Sequence, residues 1–253
     1  MNTRRGLELG LALLIVLVGC GGASQGRDTT ATSATTPDEP SPTTARDVMD
    51  IGFFAPLDPG TYFIDADLDP STPLRVVYDI RAEGWSMWIG AAKFNDDDGH
   101  VSVSITTVVN LVNDGCVDHS WADPPVGPSV DDLAAALADL APFEVTSAPK
   151  DVTINGHHGK HLELTVPVLP MSEDARRFTG CIGGQLKSWV APMDATAEGD
   201  AYYGYSGPGY SEEFWILDVE GTRLMIAAER SPGSPPDDLA ELRAILDSIR
   251  IEP

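Results

Sequence analysis

Nucleophile, phosphate and metal patterns begin at several places in this chain, and each breaks at one decisive residue. Gly204-Tyr205-Ser206-Gly207-Pro208 starts like a nucleophile elbow, but Pro208 stands where that strained turn requires glycine. Gly207-Pro208-Gly209 lacks the third glycine of a dinucleotide loop, and Gly159-Lys160 has Ile154 where a phosphate loop needs its first glycine. Asp65, Asp67 and Asp69 alternate like calcium ligands, yet Pro70 replaces the turn glycine and Val76 the bidentate glutamate. Asp96 to Gly99 fails in the same way, with Phe94 and Ile105 at the first and last ligand positions. Solvated turns are the better reading of both. His157 and His161 share a strand face with Glu163 while His158 points away, so at most two imidazoles could meet one metal. No catalytic residue, metal site or cofactor is therefore assigned.

The segment Tyr202-Tyr203-Gly204-Tyr205-Ser206-Gly207-Pro208-Gly209-Tyr210 has the composition of a recognition loop. Tyrosines on a Gly/Ser framework offer large, semi-rigid contact area with a polar tip. Tyr203, Tyr205 and Tyr210 are the candidate ligand-binding residues, with the alternative that these rings pack into a sheet and the glycines only turn the chain. Carboxylates are too numerous, at 39 Asp+Glu against 16 Lys+Arg, for any pair to be singled out as acid and base. The resulting net charge of −23 repels phosphate backbones, and the four lysines and twelve arginines form no basic patch, so nucleic acid is excluded as a partner.

At the N-terminus Arg4 and Arg5 precede an apolar run of ten, Leu9 to Val18. A bilayer core takes about 20 helical residues, so this run reads as the core of a signal peptide rather than a permanent span. Leu17-Val18-Gly19-Cys20 follows directly and resembles the lipobox of bacterial lipoproteins. The resemblance implies cleavage after residue 19, acylation of the Cys20 thiol, and a protein held by its lipid on the extracytoplasmic face of the cell membrane. Cleavage removes Arg4, Arg5 and Glu8 and so takes the net charge from −23 to −24. Residues 20–47 form a tether: Gly21 to Asp47 is rich in Thr, Ser, Ala, Gly, Pro and Asp and has no aromatic residue to repay the entropy of ordering it. As a coil it would span on the order of 30 Å. With Cys20 lipidated, Cys116 and Cys181 remain, and an even pair in an exported protein reads as a disulfide.

Residues 48–253 have the composition of a single packed domain, and strands and helices must position whatever site it carries. Thr61 to Asp65, Leu74 to Ile80 and Val101 to Val109 read as strands. Lys150 to Ile154 and Lys160 to Val166 flank an Asn155-Gly156 hairpin turn; Phe214 to Val219 and Thr222 to Glu229 flank Glu220-Gly221. Ser129-Val130-Asp131-Asp132 opens one helix as a capping box, with Leu133, Leu137 and Leu140 on one face. Ser234-Pro235-Pro236-Asp237 is expected to open a second in the same way, with Leu239, Leu242, Ile245, Leu246 and Ile249 as its apolar stripe. The fold class expected is α+β, an antiparallel sheet with two amphipathic helices packed on it.

The ending Phe214 to Leu224, the segment Leu239 to Pro253 and the block Asp123 to Leu133 resemble a group of uncharacterised actinobacterial lipoproteins. The order of late hairpin, final helix and closing segment is also similar to Mog1/PsbP-like domains, which implies an α/β/α sandwich used as a binding or assembly module. Neither resemblance brings a catalytic residue. The function expected is thus a lipid-anchored extracytoplasmic binding or assembly module contacting an envelope protein or glycan. The alternative is a cell-envelope hydrolase acting on polymers with Asp and Glu as acid and base.

Overall fold

A computed structural model describes residues 44–69, 71, 74–95, 99–173, 177–192, 203–205 and 207–252. Cys20 with its signal segment and most of the tether, Pro70, Asp96 to Asp98, Tyr202 and Ser206 lie outside the described residues. Among those described, the chain forms strands β1 (Arg46–Asp47), β2 (Pro56–Leu57), β3 (Gly60–Asp65), β4 (Arg75–Ile80), β5 (Trp85–Trp88), β6 (Gly90–Asn95), β7 (Gly99–Thr107), β8 (Asn110–Asp114) and β9 (Asp118–Trp121). Helix α1 (Val130–Ala138) is followed by β10 (Glu144–Ile154), β11 (His157–Thr165), β12 (Leu186–Lys187), β13 (Trp189–Val190), β14 (Gly204–Tyr205), β15 (Ser211–Val219) and β16 (Thr222–Arg230). Helix α2 (Pro236–Asp247) and β17 (Arg250–Glu252) close the chain. The class is α+β, as expected from the sequence.

An eight-stranded antiparallel sheet in the order β10-β11-β15-β16-β7-β6-β5-β2 dominates the fold. Both anticipated hairpins lie in it. Asn155 and Gly156 turn at φ 52° and 87°, Glu220 and Gly221 at 51° and 92°, the left-handed values that match a two-residue turn to strand twist. A four-stranded sheet, β1-β3-β4-β17, is joined to the helix that precedes β17 by the Asp79 N–H, which donates to Ser248 Oγ at 2.9 Å. Arg46 and Asp47 already pair with β3, two residues before the domain start read from composition. Trp85, Tyr62, Tyr78, Phe214 and Ile105 are fully buried in one continuous hydrophobic core.

The two helices start differently. At α1 the Ser129 hydroxyl accepts from the Asp132 N–H at 3.1 Å and Asp132 accepts from the Ser129 N–H at 3.0 Å, the reciprocal box that the sequence predicts. At α2 the expected box is absent. Pro235 occupies the cap position and Pro236 the first turn, while the Ser234 hydroxyl donates to the carbonyls of His100 and Ser231, both at 2.8 Å. Proline at the first helical position needs no N–H partner, so Ser234 is freed to fasten the helix entry to β7.

Strand alternation shows which face each helix covers. Lys160 of β11 reaches Asp131 of α1 at 3.0 Å. The next residue, His161, reaches Glu213 at 3.5 Å, and Glu213 is held by Arg243 of α2 at 3.2 Å. Successive strand residues point to opposite sides, so α1 and α2 lie on opposite faces of the large sheet. On the α2 face Lys93 binds Asp238 at 2.6 Å and Glu241 at 2.8 Å, and the Trp85 indole donates to Glu241 at 3.0 Å. On the α1 face Cys116 and Cys181 are joined as a disulfide, 65 residues apart in sequence. Beside it the Ile182 N–H donates to the Cys116 carbonyl at 2.8 Å and Lys187 to the Gly115 carbonyl at 2.9 Å. The bridge thereby clamps the segment carrying β12 onto the β8–β9 turn.

Candidate functional site

On the α1 face, register places Glu212 of β15 opposite Glu229 of β16, and Glu229 opposite Ser102 of β7. Neighbouring Cβ atoms in such a row are about 5 Å apart. Glu212 and Glu229 are 2% and 4% exposed, a burial that acidic side chains reach almost only with partners. The Tyr205 hydroxyl donates to Glu212 Oε2, and His100 Nε2 hydrogen-bonds Glu229 Oε1. Glu229 Oε2 is buried with no hydrogen-bond partner among the described residues.

Burial pushes the Glu212 carboxyl well above the usual carboxylate range, the negative charge of Glu229 pushes it further, and the Tyr205 hydroxyl opposes them. Two adjacent carboxylates in a low-dielectric row cannot both ionise freely, so Glu212 holds its proton to higher pH than an exposed glutamate does. This has a stability consequence. A group whose folded pKa is raised contributes stability that is complete below its unfolded pKa, near 4.5 for glutamate, and is lost as pH rises toward the folded value. Glu212→Gln should therefore match the wild type in urea melts near pH 4 and become the more stable protein at higher pH. The gap should widen by about 1.4 kcal/mol per pH unit until the folded pKa is passed. An unchanging gap between pH 4 and 8 would refute the protonated state.

Above this row opens a cleft of about 330 Å³, lined by Phe54, Trp88, Phe94, His100, Tyr203 and Tyr210 with Ser102 and Glu229. The rings form a continuous array. Phe54 stands 5.4 Å from Trp88 and 5.9 Å from Phe94; Phe94 is 5.6 Å from His100, and His100 is 5.2 Å from Tyr210. Tyr210, Tyr205 and Tyr203 continue inward at 6.5 and 5.5 Å, ending with Tyr203 stacked on Trp189 at 4.5 Å. The outer rings are wet: Phe53, Phe54 and Phe94 are 43%, 61% and 49% exposed. Phe54 also holds φ 63°, a left-handed conformation costly for a bulky residue, and its N–H is tied to the Met87 carbonyl at 2.9 Å. Local strain that displays an apolar ring to solvent is a mark of a site rather than of folding.

Of the tyrosines singled out in the sequence, Tyr203 and Tyr205 are turned inward, 5% and 3% exposed, rather than displayed as loop rings. The reason is local pairing: Leu186 and Lys187 pair with Tyr205 and Gly204, so the segment is a short strand laid over the sheet, with Tyr205 packed on Phe143. Tyr203 and the half-buried Tyr210 still line the cleft, while Tyr205 acts below it through Glu212. The histidines of the β10–β11 hairpin are spent locally. His158 hydrogen-bonds Thr153 at 3.0 Å and His161 packs on Trp215 at 5.1 Å. No group of three or more His, Cys, Asp or Glu able to hold a metal occurs among the described residues.

A larger cleft, of about 470 Å³, lies by α1 between Asp131, Lys160, Asp218 and Arg223. Its cations are already satisfied: Lys160 by Asp131 and by Asp151 at 2.6 Å, Arg223 by the carbonyls of Gly127, Ser129 and Val108. The aromatic cleft keeps a buried carboxylate oxygen, Glu229 Oε2, with no partner among the described residues, and is the better candidate. No protein-family model matches this chain, and no curated protein is significantly similar to it.

Proposed function

We propose that the protein is a lipid-anchored extracytoplasmic binding module whose ligand site is the cleft between Phe54, Trp88, Phe94 and Tyr210, floored by Glu229. One observation carries this reading. A buried carboxylate oxygen without a partner among the described residues lies under a rim of exposed aromatic rings, and a folded protein tolerates both costs together where a ligand relieves them. The Mog1/PsbP-like sandwich suits the same role, and a helix on each face of the large sheet supports that kinship. The Cys20 lipid and the tether would let the domain reach an envelope component near the membrane. The signature of the site would be an envelope component that co-purifies with the wild type and is lost from Trp88→Ala. Equal recovery by both proteins would remove the cleft as the binding site.

The anchor has its own expected result. Cys20→Ala should move the protein from the detergent phase to the aqueous phase, because the acyl chains on Cys20 are the membrane attachment that the lipobox resemblance implies. Unchanged partitioning of the variant would eliminate the acylated cysteine.

The carboxylate pair also favours a second reading, an envelope hydrolase in which protonated Glu212 and Glu229 serve as acid and base. Glu212 is absent from the lining of the cleft, which puts its proton out of direct reach of a substrate. Hydrolysis of purified envelope glycan, abolished in Glu212→Gln, would establish the enzyme; ligand retention preserved in that variant would establish the binder.

A further inference from the structure

We infer that the cleft recognises a small organic cation, a protonated amine on an apolar or planar body, with Glu229 as its counter-charge and Phe54, Trp88, Phe94 and Tyr210 enclosing it. This rests on the cleft being the ligand site and adds the chemistry of what enters. Three features of the cleft select that class.

The charge balance comes first. Glu229 is 4% exposed, its Oε1 is engaged by His100, and its Oε2 has no donor among the described residues. Among the described residues no lysine or arginine lines the cleft, and His100 is its one basic side chain. His100 pairs with Oε1 alone, so an incoming ammonium would bring N–H donors and a positive charge to Oε2, whereas a sugar hydroxyl would bring a hydrogen bond without a charge.

The walls make the same selection. Phe54 lies 5.4 Å from Trp88 and 5.9 Å from Phe94, and Tyr210 stands on the far side against His100. Aromatic faces around one point attract a cation through their quadrupoles, the more strongly as water is excluded. The cleft thus lines a carboxylate and several aromatic rings together, and both favour a cation. The long-range field agrees, since a net charge of −23 enriches cations near the surface and repels anionic ligands.

Size sets the upper limit. About 330 Å³ is at the low end for ligand sites, which suits one small molecule rather than an extended polymer.

The test uses two probes of one shape: phenethylamine, protonated at neutral pH, and 2-phenylethanol, its neutral counterpart. Each is titrated into the ¹⁵N-labelled protein while the tryptophan indole N–H signals are followed, Trp88 being assigned by its loss in Trp88→Phe. The expected result is a shift of the Trp88 signal by phenethylamine at a concentration at least about tenfold lower than by 2-phenylethanol. Glu229→Gln should remove that preference while leaving residual binding of both probes. Because a change at a buried position could disturb folding, Phe54→Ala at the exposed rim provides a second arm, and it should weaken phenethylamine binding with an unchanged melting temperature. Equal affinity for the two probes would overturn the cation assignment and leave the cleft standing as a site for neutral ligands. Failure of both to shift Trp88 up to about 10 mM would also overturn it, and the co-purification comparison of wild type with Trp88→Ala would then judge the cleft separately. Binding by phenethylamine that shifts other indole signals but not Trp88 would place cation recognition elsewhere and refute the site.

Discussion

Tyr203→Ala should lower the stability of the folded domain by about 3–5 kcal/mol, the cost of deleting a buried aromatic ring. The ring is 5% exposed, stacks on Trp189 at 4.5 Å and meets Tyr205 at 5.5 Å, so removing it opens a void in the layer above the large sheet. In a domain of this size that corresponds to a fall in Tm of about 10 °C. Phe54→Ala, by contrast, should stay within about 0.5 kcal/mol of the wild type, since the Phe54 ring is mostly in water. Urea and thermal melts of the two variants check both values. A Tyr203→Ala protein as stable as the wild type would mean that the segment is a displayed loop and that the cleft lacks the inner wall described above.

Breaking the disulfide should have a comparable effect. Cys116 and Cys181 close a loop of 65 residues, and the chain-entropy relation gives about 4 kcal/mol for a loop of that length. The consequence for the site is indirect but follows from connectivity. The Cys181 end leads into β12, which pairs with β14 and so carries Tyr205 above Glu212. Cys116→Ser with Cys181→Ser should therefore lower stability by about 4 kcal/mol and loosen the inner wall of the cleft. Unfolding in urea with and without reductant, together with the intact mass after alkylation, measures this. Two freely alkylated thiols in the folded, unreduced protein would contradict the bridge.

The hairpins and helices were legible because their signals are local. Asn155-Gly156 and Glu220-Gly221 fix two turns by backbone preference, and Leu133 and Leu137 mark one face of α1 by spacing alone, whereas Leu140, expected on the same face, lies beyond the helix end and packs with Val112 and Val190. Short strands such as β5 and β6 were not legible: Trp85–Trp88 is too brief and Gly90–Asn95 too rich in small residues for alternation to stand out, and β6 is placed by its pairing with β7 and β5 by its pairing with β6. The cleft was hidden for a different reason. Phe54, Trp88, Phe94, His100 and Glu229 come from four separated stretches of chain, and only the register of β5, β6, β7 and β16 brings them together.

One local signal did exist. Glu212 is in phase with Phe214 and Ile216, and Glu229 with Met225 and Ala227, so both carboxylates occupy core-facing positions of their strands. A charged residue that keeps step with the buried face of a strand is either paired or functional, and here the two lie directly opposite each other. The tyrosine segment shows the opposite case. Its composition pointed to the right neighbourhood, and the packed alternative holds for two of its rings: Gly209 turns the chain at φ 77°, while pairing with Leu186 and Lys187 sends Tyr203 and Tyr205 inward.

The central claim is that ligand enters between the exposed rings of the aromatic cleft, and in-cell photo-crosslinking tests it without knowledge of the ligand. Phe94, 49% exposed on the rim, would be replaced by p-benzoyl-phenylalanine, and Val168, 88% exposed, by the same residue as the control position. Intact mass after irradiation is predicted to show a discrete adduct on the Phe94 variant, diminished when Trp88→Ala is added, and none on the Val168 variant. An adduct of equal yield at Val168, or a Phe94 adduct indifferent to Trp88→Ala, would contradict the cleft as the site of recognition.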